Sequence, residues 1–162
     1  MTENVEVCEF RLCLQQAFER VSLEGVCLAY YEPDTTLTAF QLNHQSWEEL
    51  PLAYFERMGA DSIWLAEGRK FLFVLPSAMT HTINDWSVGN VVPDLGFTLV
   101  ARLLNIACAS IGSADFHCRR ILTVFQSHTI FLYLRIVAAV DHSVAEDASR
   151  AMGAYWGRFR DC

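Results

Sequence analysis

The stretch from Pro93 to Arg160 constrains this chain's fold more than any other. Helical spacing of Leu99, Leu103 and Ile106/Ala107 predicts a helix over 94–111, with Asp94 after Pro93 as its N-cap and Gly112 as its stop. Ile130, Leu132, Leu134 and Ile136 then alternate with Phe131, Tyr133, Arg135 and Val137, the period of two expected of a strand. With the β-prone arm Ile121 to Phe125 and the polar connection Gln126 to Thr129, the pattern predicts a hairpin over 119–140. A closing helix over 143–159 follows, with Ser143 and Glu146 at capping-box spacing. Its apolar stripe is Val144, Ala148, Ala151/Met152, Tyr155 and Phe159. Such a succession implies helices layered on an antiparallel sheet.

The rest of the chain extends that expectation. Val7, Phe10, Leu14, Ala17/Phe18 and Val21 predict an amphipathic helix over 3–21. Val26 to Tyr31 and Leu37 to Leu42 predict a hairpin over 26–42, turned at Glu32-Pro33-Asp34-Thr35. Pro51 confines the next helix to 51–58. A second hairpin is expected over 62–75, turned at Glu67-Gly68-Arg69, and a polar loop over 77–92. The expected fold is α+β and a single domain over 1–162: an antiparallel sheet of five to six strands under one layer of three main helices.

With 162 residues, 52% of them hydrophobic and 19% charged, the chain can bury a proper core without disulfide or metal staples. The net charge of −7 and a single lysine, Lys70, argue against nucleic acid, which needs a basic footprint. None of the six cysteines forms a C-x-x-C pair, and Met1-Thr2-Glu3-Asn4 does not open a signal peptide. Reduced thiols and a cytoplasmic protein are therefore expected. The apolar runs 99–111 and 129–140 are short and broken by Arg102 and Arg135, so no membrane span is expected.

Candidate chemistry is sparse. His117 and Cys118 adjoin with Asp115 near, but the spacing matches no zinc pattern, and neighbours on a strand point to opposite faces. His44, His81, His128 and His142 fall near expected turns or element ends, where polar residues are exposed. Gly59, Gly68, Gly89 and Gly112 make no phosphate-cradling loop. Trp64 and Asp85-Trp86 mark either a pocket or, more commonly for aromatic residues, core. No catalytic residue, cofactor or metal is expected.

Ala101 to Asn105 followed by Gly112, the run Ile130 to Arg135, the break at Asp141 and the closing Tyr155-Trp156 together resemble the class I type III secretion chaperones, the family of the Tir chaperone. That resemblance implies a non-catalytic, cytoplasmic homodimer, or a heterodimer with a similar chain. It would hold an extended segment of a secreted effector or of a regulatory protein. Residues 45–92 are longer than the family pattern. On this resemblance the candidate partner-binding residues are Phe10, Leu14, Val26, Leu28 and Phe40, each of which also suits ordinary core. A roadblock-like or longin-like dimeric module acting on a small GTPase is the alternative expectation. A small ligand-binding or enzymatic α+β domain with a pocket near Trp64, Trp86 and 77–92 is the third.

Overall fold

The computed structural model describes residues 5–22, 29–32, 35–39, 46–88 and 94–162, with only the backbone described over 29–32, 35–39 and 85–88. It is mainly helical. The helices are α1 (Val5–Phe18), α2 (Leu52–Met58), α3 (Asp61–Trp64), α4 (Gly68–Val88), α5 (Leu95–Cys108), α6 (Ala114–Ile121), α7 (Val124–Val140) and α8 (Ala145–Ala154). Short 3₁₀ turns stand at Trp47–Glu49 and Trp156–Phe159. The extended segments among the described residues are β1 (Ala29–Glu32) and β2 (Thr35–Ala39), one small antiparallel ladder pairing Ala29 with Ala39 and Tyr30 with Thr38. The expected α+β fold with a sheet of five to six strands is thereby overturned.

The largest correction is α7, which replaces the hairpin expected over 119–140. Ile130 to Val137 alternates in identity but not in polarity, since Phe131, Tyr133 and Val137 are as apolar as their neighbours. A continuous apolar run suits a helix buried on all sides as well as a strand, and length arbitrates. No Gly or Pro interrupts residues 113–152, and Gln126 to Thr129 holds no Gly, Pro, Asn or Asp to turn a hairpin. Thr123 and Gln126 instead build a reciprocal capping box: Gln126 N donates to Thr123 Oγ1 at 3.1 Å and Thr123 N to Gln126 Oε1 at 3.0 Å. Every residue from Gln126 to Leu134 is buried.

The hairpin expected over 62–75 and the loop over 77–92 are corrected together. Phe71, Val74/Leu75, Ala78/Met79 and Thr82/Ile83 recur at helical spacing, all buried on one face of α4. Pro76 hides that period by falling mid-helix, where it removes one i→i−4 hydrogen bond. The box expected at Ser143 and Glu146 does not form; Ser143 N and Oγ both donate to Asp141 Oδ1, and the N-cap of α8 is Val144, with no side-chain cap. At the front of α5, Asp94 occupies the N-cap with φ of 72° and no side-chain bond. That helix ends at Cys108 with Ala109 as its C-cap, ahead of Gly112, whose φ of 91° serves the following turn.

α7 packs against α1, α8 and the terminal 3₁₀ turn, while α5 packs against α8. Buried polar groups mark the joints. Tyr133 OH and Thr82 Oγ1 lie 3.0 Å apart between α7 and α4, and Gln126 Nε2 donates to Ala17 O at the end of α1. Trp47 Nε1 donates to Phe18 O at 3.0 Å, and Trp156 Nε1 to Leu103 O at 3.1 Å. Each indole thus buries its rings while satisfying its one donor. Gly157 is needed where the terminal turn folds back on α8, because a Cβ there would lie 2.8 Å from Met152 O.

Two measurements check this fold. Thr123→Ala removes one orphan-donor partner at the head of the central helix and is expected to cost about 1 kcal/mol in denaturant unfolding; a loss of only a few tenths would show that the cap is not formed. Burial also pushes the phenol of Tyr54 up to about 12 and raises that of Tyr133. Both then stay protonated in the folded chain above the pH of about 10 at which an unfolded tyrosine ionises. The phenols' contribution to stability is level below that pH and falls as pH rises toward about 12, by on the order of 1–3 kcal/mol per phenol. Unfolding midpoints at pH 8 and above 10 check it; an undiminished midpoint would contradict the burial.

Candidate functional site

α1, the 3₁₀ turn at Trp47–Glu49 and α4 enclose a cleft of about 420 Å³. Leu14 and the buried Trp47 are its apolar lining, and Arg11, Gln15, Glu48, Ser77, Thr80, His81 and Asn84 its polar lining. Arg11 and Gln15 share one side of α1 because they stand four residues apart, as do His81 and Asn84, three apart, on α4. Arg11 Nη2 donates to Asn84 Oδ1 at 3.0 Å, joining the two helices at one end. A second depression of about 300 Å³, lined by Gln15, Gln16, Glu19, Ser46, Trp47 and Glu48, adjoins the first and shares Gln15, Trp47 and Glu48 with it. The two form a trough alongside α1 from Arg11 to Glu19. Eight residues of helix rise make it about 12 Å long.

Hydrogen bonding defines what the trough can offer. His81 Nε2 lies 3.0 Å from Leu50 O, so this nitrogen carries the proton and Nδ1 is left as an acceptor. Ser77 Oγ donates to the same carbonyl at 3.2 Å, so Ser77 and His81 converge on Leu50 instead of forming a nucleophile–base pair. Gln15 and Glu48 have no side-chain partner among the described residues. The trough has a cation, Arg11, at one end and carboxylates, Glu48 and Glu19, toward the other.

A second polar cluster lies inside the protein. Arg102 on α5 is 5% exposed, and its Nη1 stands 2.5 Å from Asp115 Oδ1 on α6. The contact lacks hydrogen-bond alignment, so charge holds it, and Arg102 Nε has no hydrogen-bond partner among the described residues. Nη2 reaches Ala66 O at 3.4 Å and Cys118 Sγ at 3.9 Å, and the guanidinium lies 5.6 Å from the centroid of the Trp64 ring. Burial pushes the Cys118 thiol up, opposed by a Gly68 backbone contact and by Arg102. A buried, protonated thiol is a poor nucleophile. This cluster ties α3, α5 and α6 together.

The sequence candidates are thus redistributed. Phe10 and Leu14 are buried; Phe10 meets Tyr133 at 6.1 Å between ring centroids, and Leu14 lines the trough from below. Val26, Leu28 and Phe40 lie outside the described residues, as does His44. His117 and Cys118 sit on helix α6, not at a strand start. His128, expected to be exposed, is buried, its Nδ1 2.7 Å from Phe159 O. Trp64 packs by Arg102 and does not line the trough, while the side chains of Asp85 and Trp86 lie outside the described ones. Among the described residues no group of three His, Cys, Asp or Glu side chains could hold a metal ion, and no single helix is long and apolar enough to cross a membrane. Thr80, His81 and Asn84 went unnoticed as a set because residues 77–92 read as a loop; the helical period of α4 was the signal that groups them.

No family model, curated protein or solved structure matches this chain. Of the residues behind the chaperone resemblance, the run Ile130 to Arg135 lies in helix α7 and not in a strand.

The buried ion pair makes its own prediction. Asp115→Ala leaves the Arg102 guanidinium buried without its counter-charge, and such a break costs about 3–5 kcal/mol when the pair is fully buried. The Asp115 side chain is 23% exposed, so roughly 3 kcal/mol is expected in chemical denaturation. A loss below about 1 kcal/mol would mean that the pair acts like a surface one.

Proposed function

We propose that this protein is a non-catalytic binding module that receives an extended polar segment of a partner protein in the trough beside α1. The observation that carries this reading is the trough's shape and polarity: two adjoining depressions over an apolar lining, with Arg11 at one end and Glu48 and Glu19 toward the other. An extended chain advances about 3.3 Å per residue, so about 12 Å accommodates three to four residues. The preferred segment carries an acidic residue near Arg11 and a basic one about three residues away. Gln15 and the free Nδ1 of His81 supply a donor and acceptors for its backbone or amide side chains. Charge complementarity of this kind sets direction and partner choice more than raw affinity.

A type III secretion chaperone would be a special case of such a module. One part of that resemblance, the run Ile130 to Arg135 expected as a strand, is helical, and the trough's charges suit any partner segment of matching pattern. The roadblock-like alternative likewise presumes a sheet.

Binding to an array of short peptides, by this chain and by a Glu48→Lys variant of equal melting temperature, tests the proposal. The expected result is selection of peptides with acid and base three residues apart, with affinity for them reduced about tenfold in the variant, as loss of a charge-assisted contact implies. Peptides bound no better than scrambled controls, or bound alike by both proteins, would overturn it.

A further inference from the structure

Away from the trough, α8 and the terminal 3₁₀ turn frame a second cleft, of about 490 Å³, lined in part by Phe131, Met152, Gly153, Tyr155, Arg158 and Arg160. Its charge runs against that of the protein. The chain carries 19 acidic residues against 12 basic ones, yet no lining residue of this cleft is acidic and two are arginines. Asp161, next to Arg160 in sequence, is not among the lining residues. Neither Arg158 nor Arg160 has a carboxylate partner among the described residues.

Both guanidinium groups are positioned by aromatic rings. Arg158 lies 4.3 Å from the centroid of the Tyr155 ring, and its Nε donates to Tyr155 O at 3.1 Å. Its two terminal nitrogens therefore remain as a fork for an oxyanion. Arg160 stands 6.0 Å from the centroid of the Phe131 ring. Arg119 approaches the Tyr155 ring at 4.7 Å and adds a third positive charge nearby. A cation held against an aromatic face keeps its edge donors free, and a guanidinium fork matches oxyanion geometry.

We propose that this cleft binds a phosphate monoester carried on an apolar or aromatic body. Two arginines without a lining carboxylate suit a group bearing about −1.5 to −2 charge at neutral pH better than a singly charged carboxylate. The cleft's volume falls in the range for a small organic ligand, and Met152 and Tyr155 offer apolar surface to the ester's body. The phosphate could belong to a free small molecule or to a phosphorylated side chain. The recognising chemistry is the same for both.

Calorimetric titration of the full chain with phenyl phosphate, benzoate and a short phosphotyrosine peptide tests this. Phenyl phosphate is expected to bind saturably with Kd near or below about 1 mM, and at least about tenfold more tightly than benzoate. Arg158→Gln/Arg160→Gln should weaken it at least tenfold. Gly153→Leu gives a second, independent check: a Cβ at Gly153 meets nothing within 4 Å, and leucine favours a helix more than glycine does. That variant should fold and block the cleft. A peptide bound tenfold more tightly than phenyl phosphate supports the proposal with a phosphoprotein as source, and equal binding supports it with a small molecule. No saturable binding of phenyl phosphate, a preference for benzoate, or equal affinity in wild type and both variants would overturn it.

Discussion

Burial of α7 from Gln126 to Leu134 is the condition on which the other contacts rest. A stretch of helix buried on every side has no solvent-facing stripe to absorb polar mismatch, so each polar group on it must find a partner within the protein. Its first turn does so with the Thr123–Gln126 box, whose amide nitrogen also reaches Ala17 O, and with Ser127 Oγ donating to Thr123 O. His128 turns to Phe159 O, and Tyr133 to Thr82. These bonds reach α1, the terminal turn and α4 in succession. The central helix thereby sets where its neighbours lie as well as filling the core.

Both candidate sites inherit their geometry from that arrangement. The trough depends on the spacing of α1 and α4, which meet α7 through Phe10 against Tyr133 and through Thr82. The C-terminal cleft takes one lining residue, Phe131, directly from α7 and the rest from α8 and the turn after it. The Arg102–Asp115 pair is a different device, a buried charge satisfied by charge alone at one contact, and it joins α6 to α5 beside Trp64 of α3. Replacing such a pair by apolar residues is often neutral, whereas removing one partner alone leaves a buried charge uncompensated.

Legibility differed along the chain for physical reasons. The spacing of Phe10, Leu14 and Phe18 marks α1 because one face is buried and the other is charged. The end of α2 is similarly plain, with Gly59 at φ of 54° after Met58. Residues 62–75 misled because they hold the end of α3, a break over 65–67 and the first turns of α4, whose period Pro76 then punctuates. Of the sites, Phe10 and Leu14 were visible only as apolar residues. The polar members, Arg11, Gln15, Thr80, His81 and Asn84, carry no motif, and only the approach of two helices whose members stand up to 73 residues apart in sequence brings them together.

The amino-acid sequence by itself determined the acidic balance, a core large enough for one domain, and the placement of amphipathic helices wherever polar and apolar residues separate onto two faces. It also contained the Thr123–Gln126 cap, a local signal that needs no tertiary partner. The tertiary structure decided the state of residues 124–140. A run apolar on both faces satisfies a strand or a helix equally until its surroundings choose, and here α1, α4 and α8 cover it as a helix. It likewise decided both clefts, because a cavity is the space left between packed elements and has no local sequence to encode it.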